Sequence, residues 1–195
     1  PGRALATLAE ASGPEFAEPD FWVCRSSALY DLDRYDEGVD AAQRGLELAP
    51  DDLRLVDLLG LNYMGAKRLA PARDAIERAL QLAPDEPTLL CHHALVLAKL
   101  RRFAEADAEV QRAVALAPGD FRVLRVAAQV ASLAGDVDRT VAYSDEVLAV
   151  NPEDRVAHIL KGNAAVDRAR YGEAVKHFEE AARLEPTEEV AQAVR

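Results

Sequence analysis

Five prolines, Pro50, Pro84, Pro118, Pro152 and Pro186, follow one another at intervals of 34 residues in a chain of 195. A fixed step of that length marks a stack of like units, each a supersecondary element that cannot bury its apolar face alone. Other columns keep the same step. One holds small residues: Ser26, Gly60, Ala94, Ala128 and Gly162. A second, mostly small, reads Gly38, Ala72, Ala106, Thr140 and Ala174, and a third reads Gly45, Ala79, Ala113, Val147 and Ala181. A bulky column runs through Tyr35, Leu69, Phe103, Val137 and Tyr171, and an aliphatic one through Leu48, Leu82, Leu116, Val150 and Leu184.

Inside each unit the spacing is helical. Trp22, Ser26 and Leu29 stand at i, i+4 and i+7 and share one face of a first helix. Tyr35, Gly38, Ala42 and Gly45 do the same for a second, with a polar turn from Asp31 to Arg34 between them. Each proline follows an apolar helix end, and the residue before a proline disfavours the α region, so the helix stops there. Acidic residues beside these prolines, as in Pro50-Asp51-Asp52, suit the start of the next helix. Small columns let the helices of a pair approach closely, and bulky columns fill the gap to the next pair.

This pattern resembles the tetratricopeptide repeat family, whose 34-residue unit carries a W-x2-L-G-x2-Y…A-x3-F…P signature. The second unit matches it best, with Leu59-Gly60, Tyr63, Ala72 and Pro84, and the first supplies Trp22 and Tyr35-Asp36-Glu37. In the fourth, Thr140, Ser144 and Val147 replace small, aromatic and small residues, which bears on how tightly that pair closes. The resemblance spans five repeats, 19–52, 53–86, 87–120, 121–154 and 155–188. It implies an all-α fold, a right-handed α-solenoid of stacked helix-turn-helix pairs. Ala4, Leu8 and Ala11 are in phase with Gly38, Ala42 and Gly45, so residues 1–18 read as the second helix of a truncated unit plus a linker. Residues 189–195 read as a capping helix or the start of a further repeat, and the chain as a segment of a somewhat longer protein. Twelve helices are expected in all.

Charge narrows the function. The net charge is -11, and nucleic acid is held mainly by Lys and Arg, so a phosphate-backbone partner is not expected. The longest stretch free of Asp, Glu, Lys and Arg, Pro87 to Ala98, is too short to span a bilayer. Arginine outnumbers lysine 19 to 4, the mark of a GC-rich genome of the bacterial kind. Cys24 and Cys91 form no metal spacing and sit two units apart, which fits a reducing, cytoplasmic setting. His92, His93, His158 and His177 lack the i, i+4 spacing of a helical zinc pair. His92 and His158 fall in apolar columns, which suits packing or partial burial, and the mixed columns of His93 and His177 suit partial exposure. No catalytic residue, cofactor or metal site is expected.

In the family, first helices line the concave side of the superhelix and carry the ligand contacts. Carried over by register, that face holds Val23, Ser27 and Tyr30, then Asp57, Leu61 and Met64, then Cys91, Leu95 and Lys99. It continues with Arg122, Arg125 and Gln129, and ends with Ile159, Asn163 and Val166. The lysine, asparagine and arginine with which some members clamp a chaperone's C-terminal carboxylate are replaced by Val23, Ser27, Leu58, Thr88 and His92. Leu61, Leu95 and Ile159 can equally pack between first helices, and Arg122 and Arg125 can equally pair with acids on adjacent units. The expected function is a protein-protein interaction scaffold that takes a partner peptide or helix in the groove. The alternatives are self-association, a spacer in a larger assembly, or the regulatory part of an enzyme whose catalytic domain lies outside the chain.

Overall fold

The computed structural model of the chain describes residues 18–184 together with Thr7. The helix expected over residues 3–12, Thr7 apart, and the one expected from Glu188 to Val194 lie outside the described residues. Among the described residues there are ten helices and no strand. They are α1 (Pro19–Asp31), α2 (Tyr35–Leu48), α3 (Leu53–Gly65), α4 (Leu69–Leu82) and α5 (Pro87–Lys99). The second five are α6 (Phe103–Leu116), α7 (Phe121–Ala134), α8 (Val137–Val150), α9 (Arg155–Asp167) and α10 (Tyr171–Arg183).

Two local devices set this rhythm. The turn from first to second helix carries a left-handed residue at Asp33, Lys67, Arg101, Gly135 and Ala169, each 34 residues after the last, with φ between 56° and 78°. The next amide reaches back five residues, as Arg34 N–H to the Leu29 carbonyl at 2.9 Å and Arg170 N–H to the Ala165 carbonyl at 2.8 Å. That Schellman closure satisfies the last carbonyls of the first helix and aims the second back along it. The other device follows the proline. Asp52, Asp120 and Asp154 accept the backbone N–H groups of Arg54, Arg122 and Ala157 at 3.0, 2.9 and 2.9 Å. Each thereby caps the next first helix.

The chain divides into two compact units, one up to Val96 and one from Leu97, the boundary falling inside α5. In the first, α1 packs on α2, α3 on α4, and α3 also lies against both α2 and α1. Leu29 and Ala41 close the first pair beneath Trp22 and Leu32. Val56, Ala79 and Leu89 join the next helices, with Leu46, Leu53, Leu80 and Ala83 around them. In the second unit α7 packs on α8 and α9 on α10, while α9 touches both α8 and α7. Leu124, Val147 and Ala157 form its core with Tyr143 and Leu148. The fourth pair closes fully despite its departures: Thr140, Ser144 and Val147 are all buried. Thr140 satisfies its hydroxyl locally by donating to the Asp136 carbonyl at 2.7 Å.

The small columns are buried throughout. A β-carbon on Gly60 would stand 2.5 Å from Ile76 Cγ1, so these glycines set how near the helices of a pair come. The aliphatic column behaves differently, since Leu48, Leu82, Leu116 and Val150 are exposed. Tyr171, Val175 and Phe178, at i, i+4 and i+7, form an exposed apolar face on α10. The same columns in the earlier pairs are half-buried or buried.

Candidate functional site

First helices lie directly against one another within each unit: α1 beside α3, and α7 beside α9. Their outward positions are therefore neighbours in space. In the first unit Tyr30, Asp57, Leu61, Met64 and Leu95 are all half-buried. Ser27 and Val23 are half-buried as well, and Cys91 is buried.

The polar centre of this face is a hydrogen bond between His92 Nδ1 on α5 and Asp57 Oδ1 on α3 at 2.7 Å, with both side chains 19% exposed. The carboxylate accepts, so the proton on the neutral ring sits on Nδ1 and Nε2 is left with its lone pair. Tyr30 stands nearby, edge-on to Tyr35 at 5.6 Å between ring centroids. Burial, then the negative charges of Asp31, Asp33 and Asp57, push the Tyr30 phenol above its ordinary pKa. Tyr35 is pushed up to about 12 by its hydrogen bond to Asp33. This end of the face is thus electronegative, which disfavours ionisation of both phenols. Leu61 and Met64 follow Asp57 by one and two turns of α3, and Leu95 follows His92 by one turn of α5.

His92 was legible from its column only as a packing residue; its pairing across 35 positions leaves no mark in a single-sequence pattern. His93, expected to be partly exposed, is buried. It lies against α4 with Nε2 3.5 Å from Glu77 Oε1, a charge that the mixed column did not reveal.

In the second unit Arg122 and Arg125 are both engaged. Arg122 is 70% exposed and folds back on its own helix cap, reaching Asp120 Oδ2 at 2.7 Å. Arg125 Nη1 reaches Asp154 Oδ2 at 3.3 Å, and Asp154, at 4% exposure, is the most enclosed carboxylate of that unit's caps. Gln129 and Ile159 are half-buried, while Asn163 and Val166 on α9 are exposed, as is Lys99 at the end of α5. Among the described residues no group of three or more His, Cys, Asp or Glu is placed to hold a metal ion, and no helix is long and apolar enough to cross a membrane.

Paired antiparallel helices on a 34-residue period, with left-handed turns and capped first helices, define the tetratricopeptide-type helical repeat. The chain has that fold. No family model and no curated relative matches the chain, but solved structures resemble its fold. MamA 41-end from Desulfovibrio magneticus RS-1 superposes with a TM-score of 0.64 at 17% identity, covering 91% of this chain and 98% of that one. A second MamA structure gives 0.61 at 18% identity over 84% and 95% of the two chains. YrrB, a TPR protein with an unusual peptide-binding site, gives 0.56 at 18% identity and covers 100% of this chain and 98% of its own.

Proposed function

We propose that this chain is a protein-interaction scaffold whose first-helix faces receive an extended or helical segment of a partner. The carrying observation is the face of the first unit. Half-buried Leu61, Met64 and Leu95 flank the Asp57–His92 hydrogen bond and Tyr30, so apolar contact lies beside a fixed polar anchor. Such a mixture suits a peptide, whose side chains supply affinity while its polar groups need a placed partner. Asp31, Asp33 and Asp57 around Tyr30 favour a basic side chain at that end. In the second unit Arg122, 70% exposed beside Asp120, can turn to an acidic group, with Gln129 and Asn163 as neutral donors. YrrB, similar in fold, carries a peptide-binding site of its own.

The test is selection of binding peptides from a random library against the folded chain, followed by titration against two variants. Leu61→Glu with Leu95→Glu should abolish binding, and Asp57→Asn should weaken the basic peptides selectively, with circular dichroism checking each fold. Peptides that bind both variants at full strength would sink the assignment of this face.

A second reading, self-association, is favoured by the apolar face of α10, where Tyr171 is 66% exposed with Val175 and Phe178 beside it. Light scattering across a concentration series, comparing the chain with a Tyr171→Lys, Val175→Lys variant, separates the two. A monomer at every concentration rules self-association out.

A further inference from the structure

His158 on α9 and His177 on α10 meet through their Nδ1 atoms at 3.2 Å. The ring centroids are 5.5 Å apart, close to that separation plus the two ring radii, so each nitrogen points head-on at the other. That is the geometry of an N–H···N hydrogen bond. Two lone pairs converging on a shared metal ion would bend the rings toward one another and bring the centroids nearer. A third contact fixes the direction of the bond. His158 Nε2 lies 3.1 Å from the Pro152 carbonyl, which can only accept. In the neutral pair His158 therefore carries its proton on Nε2 and leaves Nδ1 bare, and His177 donates its Nδ1–H.

We propose that these two histidines are a proton-sensitive latch between α9 and α10, closed by that one hydrogen bond near neutral pH and opened when both rings are protonated. The first added proton is tolerated, because a single hydrogen still lies between the two Nδ1 atoms whichever ring carries the charge. A second proton leaves two N–H groups and two positive charges facing each other at a hydrogen-bond distance, with no acceptor between them. The charged neighbours do not remove this conflict. Lys161 of α9 opposes proton uptake but is itself paired with Asp145 of α8 at 2.5 Å, while Glu173 of α10 and Asp145 favour uptake. Asp154, the cap of α9, is taken up by Arg125 of α7 and by the Ala157 amide. Burial, then Lys161 and His158, hold His177 below its ordinary pKa. The unfolded chain therefore binds this proton more readily than the folded one. The stability from His177 is full above its unfolded value of 6.5 and is lost as pH falls below it.

Long-range proton–nitrogen correlation of the imidazoles in the full chain, at about pH 7.5, reads the tautomers directly. His158 should show Nε2–H and His177 the less common Nδ1–H form; Nε2–H on both rings overturns the latch. On acidification to about pH 5.5 the melting temperature should fall further in the wild-type chain than in His177→Asn, whose side-chain amide keeps a donor at the Nδ1 position and does not titrate. His158→Gln, which keeps a donor for the Pro152 carbonyl, should show the same reduced slope. Equal pH slopes in the wild type and in whichever variant folds also overturn it.

Discussion

The side chain of Asn62 occupies the space that a β-carbon on Gly38 would need. An added carbon there would lie 2.0 Å from Asn62 Oδ1. Asn62 is enclosed, donating from Nδ2 to Ser26 Oγ at 3.1 Å and to the Leu58 carbonyl at 2.9 Å, and Ser26 Oγ donates in turn to the Gly38 carbonyl at 2.9 Å. One polar chain thus ties α1, α2 and α3 together where the corresponding positions elsewhere, Val96, Val130 and Ala164, are apolar. Gly38→Ala should destabilise the chain by about 1–3 kcal/mol through overpacking. Asn62→Ala should remove most of that penalty in the double variant, because the clash is with its side chain. Urea denaturation of the four proteins of this cycle gives the coupling, and additive effects would show that the two residues do not share the space.

The left-handed column gives a second expectation. Only Gly135 among its five members is glycine; Ala169 has φ 57° with a β-carbon to strain. Ala169→Gly should therefore stabilise by up to about 1 kcal/mol, and Gly135→Ala should destabilise by about as much. Nothing lies within 4 Å of a β-carbon built on Gly135, so its loss reports backbone strain alone. Thermal melts of the two variants moving in the same direction would contradict this.

These two features mark what the sequence could and could not reveal. Paired helices, their small inner columns and the acidic caps were legible because periodicity and capping are local or strictly repeated. The left-handed turn was legible as a polar turn only, since Asp, Lys, Arg and Ala at that position hide a conformation for which glycine is the usual sign. Asn62 replaces an apolar residue in its column, and its partner Ser26 lies 36 positions away. The site suffered most. Asp57 and Tyr30 could be placed by register, but His92 joins them through a contact between repeats. Arg122 and Arg125 looked alike in sequence and differ in the structure because one pairs with a half-buried cap and the other with a buried one.

Asp52 offers a pH-dependent test of the caps. It accepts the Arg54 amide at 3.0 Å and the Arg54 guanidinium at 2.7 Å, and that guanidinium continues to Asp20 at 2.7 Å. The side-chain bond to Arg54, followed by its backbone N–H, holds the Asp52 carboxyl below its ordinary pKa. A carboxylate so shifted stabilises the fold above its unfolded value of 3.8 and loses that contribution as pH falls through the lowered one. Asp52→Ala should cost about 1 kcal/mol at neutral pH, and Asp52→Asn less, because Asn still caps. The gap between wild type and Asp52→Ala should close in acid. A gap that stays constant to about pH 3 would mean that the charge adds nothing to the cap.

Arg122 and Arg125 should separate cleanly, because their partners differ in burial. Removing Arg125 leaves Asp154 enclosed with its bond from the Ala157 amide and without its counter-charge. Arg125→Ala should therefore cost about 1–3 kcal/mol, the penalty for a buried charged group stripped of a partner. Arg122→Ala, on a 70% exposed side chain, should stay within about 0.5 kcal/mol. This asymmetry makes Arg122 the residue on which to test anion recognition, since a change at Arg125 disturbs the fold. Arg122→Glu should weaken an acidic peptide held on the α7–α9 face by about 1 kcal/mol, an effect that shrinks as salt screens the exposed pair. Chemical denaturation gives the stabilities, and titration of acidic peptides at low and high salt gives the binding. If Arg122→Glu leaves acidic-peptide affinity unchanged at low salt while the chain stays folded, this arginine holds no anion. Peptide binding would then rest on the first unit's face, with its apolar residues and its Tyr30–Asp57 end.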